Sequence, residues 1–497
     1  MKEQNENIIS QVKDKRWWTL ALCEVVALGI VVAYTCHNFT FRESVDIVVA
    51  FSIAFLVPRL VYTRSKISCS CGHMLLVIVG TLLACYTIFS MKMWTSSQSF
   101  SLEMPNLVSD DGSYYSWALS HYDGRCGAPN IAYKGVSLIM LAMWHLLGVS
   151  IVWPLALNYM LALLSIVITG KIAHRLLSHR FTATSPSTIA FAAMLMASLL
   201  CFLISQTVRI QKEACCSFGF VMVGYSLAGM STLKLSKRER WLDVAAFVVG
   251  TAILALVRTN YVYFVVVGSA MMSLSNRGAH WKQGVLLTAF ALVLTFAFNY
   301  AYNYTLEHQM VILGGGEAMA RDFRIGQAQQ PYLTLIGNYY FYPHWERLLL
   351  IPVTTGVQFI IPFPWLYDYS SSTVMSMLPR VRLMWYLVGG ACIYYYLFIT
   401  VVHHKRSNMG MWAWWPLACF MLMAYLTGGL VSRYALPLQP LFVVIALYVF
   451  LHVKEGKYRR SFLTWMAVYW LALIAVLIFS YHTQTEFLKQ LHASIGN

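Results

Sequence analysis

Charge is the first thing that this sequence has little of. Only 11% of its 497 residues are charged, and just 20 are acidic. A soluble globular domain carries about a quarter of charged residues, so the composition excludes an ordinary water-soluble enzyme. Long polar stretches are also missing, because the longest mainly polar segments lie near 94–133 and 302–346. This excludes a large soluble domain carried on a single membrane anchor.

Three other patterns are missing. Zinc needs cysteine and histidine pairs at suitable spacing, and the only cluster, Cys69 to His73, has no second pair. The apolar run from Trp17 to Cys36 is long enough for a span, so we expect no cleavable signal peptide. The net charge of +16 lies mostly in short basic clusters between apolar runs. That pattern is typical of cytoplasmic loops, so we expect no nucleic-acid partner.

Apolar runs dominate what is present, since hydrophobic residues make up 59% of the chain. Runs of about 20 residues recur, each long enough to cross a bilayer core of about 30 Å. The sequence predicts an all-α polytopic membrane protein whose lipid bilayer surrounds one transmembrane domain, residues 1–497. We predict about 13 transmembrane helices, at 17–36, 44–62, 74–93, 150–170, 186–206, 214–233, 241–257, 260–276, 283–301, 383–402, 411–430, 434–453 and 461–481.

Basic clusters predict the orientation, because positive loops stay in the cytoplasm. Placing all of them inside leaves the N-terminus cytoplasmic and the C-terminus outside. Two large outer loops follow from this path. Residues 94–148 contain an acidic motif and then a juxtamembrane helix at 133–148, and residues 302–382 contain a proline-interrupted re-entrant or interfacial segment at 347–366.

The acidic motif is the pair Asp110 and Asp111 in the first outer loop. One interpretation is helix capping, with one acid near the positive end of a helix dipole. That accounts for one acid and not for two. The functional interpretation makes one carboxylate a general base toward an acceptor hydroxyl. The other would orient it, hold the acceptor or share a divalent cation, which would be the only cofactor. We favour Asp110 as the base and Asp111 as the capping or orienting group.

Isolated basic residues lie at the outer ends of four different spans: Arg209, Lys212, Arg258 and Arg433. Long basic side chains often extend toward lipid headgroups, and this explains any single one. Four together would suit a cavity that binds the phosphate of a lipid-linked substrate, because guanidinium groups bind phosphate oxygens in pairs.

Further candidates are predicted to contact the substrate. Tyr114 and Tyr115 follow the acids and suit either the membrane interface or sugar stacking. Glu317 and Arg321 follow a glycine triplet in the second outer loop. They form either a solvated helix with paired charges or a loop that orders on substrate.

Several motifs resemble those of the GT-C glycosyltransferases. The run from Ser109 to Tyr115 is similar to the acidic motif in the first outer loop of that superfamily, and the juxtamembrane helix and next span follow it in the same order. Three later stretches resemble recurrent pieces of bacterial members, and each contains a basic residue at an outer turn: Arg209 to Ala214, Ala255 to Tyr261, and Ser432 to Leu441 with Tyr434. The chain departs in having three predicted spans before the acidic loop and no soluble C-terminal domain.

The resemblance implies an inverting transfer of a sugar from a polyprenyl-phosphate donor to an acceptor hydroxyl. The acceptor would be a lipid-linked glycan or another hydroxyl compound at the outer face of a bacterial cytoplasmic membrane, in cell-envelope glycan assembly. Basic residues would bind the donor phosphate, a carboxylate would act as base, and Tyr434 would contact the substrate.

Two alternatives stay open. Pro362-Phe363-Pro364-Trp365 looks more like O-antigen polymerase-type enzymes, which join lipid-linked oligosaccharides and would depend more on arginines. A transporter of lipid-linked sugars would instead place charged residues inside the spans, and Glu24, Asp46 and Asp243 are the candidates.

Overall fold

The computed structural model describes most of the chain as helices joined by short turns, without strands in the described part. Two compact units form: unit 1 comprises Met1–Val265 and Ala289–Thr295, and unit 2 comprises Val266–Thr288 and Phe296–Asn497. The described residues are 2–96, 100–107, 109–124, 131–200, 207–210, 212–230, 236–275, 281–313, 343–351, 354–355, 386–401, 409–427, 436–455, 459–475 and 478.

Nine described helices lie wholly in unit 1. They are α1 (Lys2–Asn38), α2 (Phe41–Thr63), α3 (Ser70–Trp94), α4 (Ser109–Tyr122), α5 (Ile131–Leu147), α6 (Val152–Leu177), α7 (Pro186–Ser198), α8 (Glu213–Met230) and α9 (Lys237–Val257). A short 3-10 turn, Thr259–Tyr261, joins α9 to α10 (Val262–Ser275).

The remaining described helices are α11 (Trp281–Leu313), α12 (His344–Leu349), α13 (Ala391–Val401), α14 (Gly410–Thr427), α15 (Gln439–Lys454) and α16 (459–475). A π-helical turn, Tyr386–Gly390, precedes α13.

Seven helices in the described part of the chain are long and apolar enough to cross a membrane, and the protein is thus a helical multi-pass membrane protein. Six of them belong to unit 1, namely α1, α2, α3, α6, α8 and α9, and the seventh is α15 with the turn before it. Other apolar helices, such as α7 and α10, are shorter in the described residues. The prediction of about 13 spans is therefore not confirmed.

Contacts between helix termini define two ends of unit 1. The ammonium of Lys92, near the end of α3, donates to the carbonyl of Asn38 at the end of α1. At the opposite end, Lys66, just beyond α2, forms an ion pair with Glu239 in the first turn of α9. We call one end of unit 1 the Asp111 end: here α3 and α9 finish, and α6 and α8 begin. We call the opposite end the Arg175 end.

The core of unit 1 is built around α6 and α8. Most residues of both helices are buried, whereas α1 is largely exposed and thus suited to face lipid. Small residues let membrane helices approach closely, and α8 meets α9 through Gly219 and Gly250. A Cβ on Gly250 would lie 2.7 Å from the Gly219 carbonyl oxygen. This crossing holds the first turn of α8 beside the last turn of α9.

The helix α5 has the length of a surface helix and not of a span. Its described apolar part runs from Gly135 to Leu147, within the segment 133–148 that is predicted to be a juxtamembrane helix. Leu146 and Leu147, at its end, are exposed. The opposite surface packs on α4, where the buried Ser137 hydroxyl donates to the Tyr114 carbonyl over 2.9 Å.

Unit 2 has an aromatic core of its own. Tyr396 of α13 packs edge-on against Tyr448 of α15, and Phe420 of α14 does the same against Phe442. The indole of Trp465 in α16 donates to the carbonyl of Ala391. The predicted re-entrant segment at 347–366 lies mostly outside the described residues.

Candidate functional site

The first turn of α4 carries the acidic motif. The helix begins at Ser109, so Asp110 and Asp111 lie inside its first turn, where the helix dipole favours negative charge. Gly112 permits a close approach of the preceding linker, because a Cβ there would lie 2.7 Å from the Leu107 carbonyl oxygen. The Asp110 side chain lies outside the described part of the structure.

Asp111 is buried and forms an ion pair with Arg209. The Arg209 Nε donates to Asp111 Oδ2 over 3.0 Å, and only 6% of the Asp111 side chain is exposed against 35% of that of Arg209. Two residues from separate predicted loops, 98 positions apart, therefore meet directly. Charge-assisted contacts of this kind are stronger than neutral hydrogen bonds.

Asn158 holds the turn that carries Arg209. It lies in the second turn of α6, is buried, and its amide donates to the Arg209 carbonyl over 2.6 Å. A buried amide without a partner is costly, so this bond ties the 207–210 turn to the core. Sequence reasoning did not assign Asn158 a site role, and the available signal was a polar amide near the start of an otherwise apolar span.

Lys212 and Arg258 lie at the same end. Lys212 directly precedes α8, and its carbonyl accepts from the Cys216 amide over 2.9 Å. Arg258 directly follows α9, and its guanidinium lies 4.9 Å from the centre of the Tyr261 ring. Because α8 packs along α9, the start of α8 and the end of α9 bring these two basic residues to the same end. They therefore share one corner of unit 1.

Glu213, the first residue of α8, is a further acid at this corner that sequence reasoning did not select. It is 2% exposed and follows Lys212 in the chain. An acid at the first position of a helix is favoured by the dipole. Because this structural role explains Glu213 by itself, the sequence pattern does not mark it as a site residue.

Gly135 brings α5 against the end of α9, next to Arg258 in the chain. A Cβ on Gly135 would lie 2.0 Å from the Leu256 carbonyl oxygen and 3.0 Å from the Val257 Cα. Only glycine fits so close to the end of α9 without displacement. Because Ser137 donates to the Tyr114 carbonyl in the second turn of α4, helix α5 links the end of α9 to the helix that carries the acidic motif.

The two predicted tyrosine contacts differ in burial. Tyr115 is 4% exposed, packs edge-on against Trp144, and donates to the Glu103 carbonyl over 2.7 Å. Burial, together with the nearby Glu103 carboxylate, raises the pKa of Tyr115, so the phenol stays protonated. Tyr115 thus stabilises the packing of α4 on α5, while Tyr114 is half-buried and the more accessible of the two.

A divalent cation fits this corner poorly. No group of three or more histidine, cysteine or acidic ligands occurs among the described residues. Asp111 is bonded to a guanidinium at 3.0 Å, and that positive charge repels a second cation at the same carboxylate. The divalent cation stays a prediction that rests on Asp110.

Four predicted site residues lie outside the described part of the structure: Glu317, Arg321, Arg433 and Tyr434. Of the others, the structure brings Asp111 and Arg209 into direct contact and places Lys212 and Arg258 at the same end of unit 1. No protein-family model, curated protein or solved structure matches the chain.

Proposed function

We propose that this protein is an inverting membrane glycosyltransferase that takes a sugar from a polyprenyl-phosphate donor. The observation that supports this most is the Asp111–Arg209 ion pair, which lies at the same end of unit 1 as Lys212 and Arg258. An acceptor hydroxyl needs a base, and a phosphate leaving group needs fixed positive charge. Both kinds of group occur at this end.

In the proposed reaction, the acceptor oxygen attacks the anomeric carbon of the donor sugar. The acceptor proton passes to the Asp110 carboxylate, the new glycosidic bond forms, and the bond from the anomeric carbon to the phosphate oxygen breaks. The electron pair leaves with the polyprenyl phosphate. Arg209 and Arg258 would stabilise that anion, because positive charge aimed at developing negative charge lowers the barrier.

Asp111 has a positioning role in this proposal. Its carboxylate fixes the direction of the Arg209 Nε, while a guanidinium has further N–H groups that can bind phosphate. The third of the Arg209 side chain that is exposed makes such contact accessible. The proposal further places this end at the outer face of a bacterial cytoplasmic membrane.

The test is glycoside formation by the full-length protein in liposomes, with a panel of labelled polyprenyl-phosphate hexoses. Asp110→Asn should abolish product formation, and Arg209→Ala or Arg258→Ala should lower it by about 100-fold or more. Asp123→Asn is a matched control, since Asp123 is an exposed acid just beyond the same helix.

Other outcomes point to the alternative functions. Activity that survives both aspartate changes but not the arginine changes would indicate a polymerase or ligase that joins lipid-linked oligosaccharides. Counterflow of labelled donor without a glycosidic product would indicate a transporter. Of the three span acids that a transporter could use, Glu24 pairs with Arg59 and Asp243 pairs with Arg175, whereas Asp46 is exposed.

A further inference from the structure

A cavity of about 680 Å³ lies at the Arg175 end of unit 1. Its charged lining comes from the turn after α2, the last turns of α6 and the first turn of α9, and consists of Arg64, Lys66, Lys171, Arg175, Arg238 and Glu239. Ligand pockets commonly measure about 300–1,000 Å³. The cavity is therefore large enough for a small-molecule ligand with several functional groups.

Positive charge is in excess around this cavity. Two of its cations are compensated, because Arg175 pairs with Asp243 over 2.6 Å and Lys66 pairs with Glu239 over 3.1 Å. Within the described residues, no carboxylate lies at ion-pairing distance from the other three, Arg64, Lys171 and Arg238. An excess of three positive charges thus faces one cavity.

The charges of α6 are arranged along one stripe of the helix. Lys171, His174, Arg175 and Ser178 all line the cavity and follow each other at the spacing of one helical face. Like charges four residues apart destabilise a helix, so folding alone does not favour Lys171 beside Arg175. Lys171 lies within α6, before its last turn, and is half-buried.

Hydroxyl groups complete the lining. Ser65, Ser178 and Ser236 line the same cavity. The Ser65 hydroxyl donates to the Tyr62 carbonyl and the Ser236 hydroxyl to the Glu239 carboxylate, whereas the Ser178 hydroxyl can donate to a phosphate oxygen. Tyr225 forms part of the wall, with its ring 4.1 Å from the Arg175 guanidinium carbon and its hydroxyl accepting from Arg175 Nη2 over 3.0 Å. The Arg175 side chain is thus fixed, and Arg64, Lys171 and Arg238 line the same cavity.

We infer that this cavity binds a diphosphate group. Arginine and lysine together recognise phosphate oxygens by paired and point-charge contacts, and a diphosphate supplies enough negative charge to match the excess. The cavity is separate from the Asp111 end: Asn158 and Arg175 lie on the same helix, about 25 Å apart at 1.5 Å per residue. The inference goes beyond the proposed function and uses none of its residues.

The experiment measures binding to the full-length protein in a nonionic detergent by titration calorimetry with inorganic pyrophosphate. Arg238→Gln and Lys171→Gln should each raise the pyrophosphate Kd by about tenfold. Arg240→Gln is the matched control, because Arg240 is also an exposed arginine near the start of α9 but does not line the cavity. Its Kd should equal that of the wild type.

A second arm distinguishes the source of the diphosphate by comparing the protein in nanodiscs that contain a polyprenyl diphosphate with the protein in nanodiscs that lack it. Binding of free pyrophosphate supports a soluble ligand. Binding of the polyprenyl diphosphate without binding of free pyrophosphate supports a lipid headgroup. Lys171→Arg keeps the charge and should retain affinity for the diphosphate. If Lys171→Gln does not fold, Arg238→Gln still tests the inference, because Arg238 is exposed and its replacement should not disturb the core. Absence of binding in both arms, or equal losses in Arg238→Gln and Arg240→Gln, would overturn the inference.

Discussion

In the described part of unit 1, each end contains an aspartate–arginine ion pair, and the two pairs are embedded differently. Asp243 and Arg175 both lie in spanning helices, with the aspartate side chain fully buried and that of the arginine 12% exposed. Arg175 also donates to the Tyr225 carbonyl and hydroxyl. Asp111 is similarly buried, but its partner Arg209 lies on a turn and is 35% exposed.

The difference shows how one pair of residue types serves two purposes. At the Arg175 end the ion pair is surrounded by α6, α8 and α9, so it stabilises the packing of those helices. At the Asp111 end the arginine is anchored through its backbone by Asn158 and keeps an accessible side chain. We therefore expect changes at the first pair to affect stability, and changes at the second to affect function more than stability.

Asp243→Ala should have the largest effect. It leaves the Arg175 charge buried without its carboxylate, which costs about 3–5 kcal/mol. Thermal unfolding in detergent would report the loss as a lower Tm. The double change Arg175→Met with Asp243→Leu should recover most of the stability, because an apolar pair can replace a buried ion pair. A Tm change no larger than that of Asp111→Ala would contradict the comparison.

Gly229→Ala should also destabilise the Arg175 end. A Cβ there would lie 1.9 Å from Asp243 Oδ2 and 2.7 Å from Arg175 Nη1, so the ion pair would have to move, at about 1–3 kcal/mol. Gly29→Ala is the control, since nothing lies within 4 Å of its Cβ position. The same unfolding measurement applies, and equal Tm values for the two variants would show that the close approach does not matter.

Asn158→Leu tests whether Asn158 positions Arg209 at the Asp111 end. The change removes the bond to the Arg209 carbonyl and should cost about 1–2 kcal/mol, while glycoside formation should fall further than this stability loss explains, because Arg209 is no longer held in place. Ser165→Ala, on the same helix, removes only a local bond to the Leu161 carbonyl and should leave activity intact. Parallel losses of activity in both variants would argue against a positioning role.

Lys66→Ala should have the smallest effect. The Lys66–Glu239 pair lies at the surface, with 85% of the lysine side chain exposed, and such pairs contribute less than about 1 kcal/mol. The Tm should change little, and the small change should vanish in high salt because exposed charges are screened. A large decrease in Tm that does not depend on salt would show that the Lys66–Glu239 pair behaves like the buried Arg175–Asp243 pair.

Part of the candidate site could be predicted from local patterns. The acids of the first large loop and the basic residues Arg209, Lys212 and Arg258 were expected to share one side of the membrane, and in unit 1 they lie at one end. The direct pairing of Asp111 with Arg209 was not predictable, because 98 residues separate them. Nor was the role of Asn158, since its partner is a backbone carbonyl that no sequence pattern marks.

The pairing of Asp243 with Arg175 was missed for the same reason. In the sequence, Arg175 stands among other basic residues at 171–180, and Asp243 is an isolated acid near the start of an apolar run, 68 residues further on. Neither residue by itself suggests the other. Their contact depends on α6 and α9 both packing against α8, which is a property of three helices together.

By itself the sequence determined that this is a helical multi-pass membrane protein, and it determined which short loops carry positive charge. Both follow from local rules, because a bilayer requires long apolar helices and retains basic loops on one side. The tertiary structure decided which acid meets which base, how deeply each pair is buried, and that a cationic cavity forms at the Arg175 end. These depend on close approaches of neighbouring helices at Gly135, Gly219 and Gly229, where the missing side chains set the distances between helices.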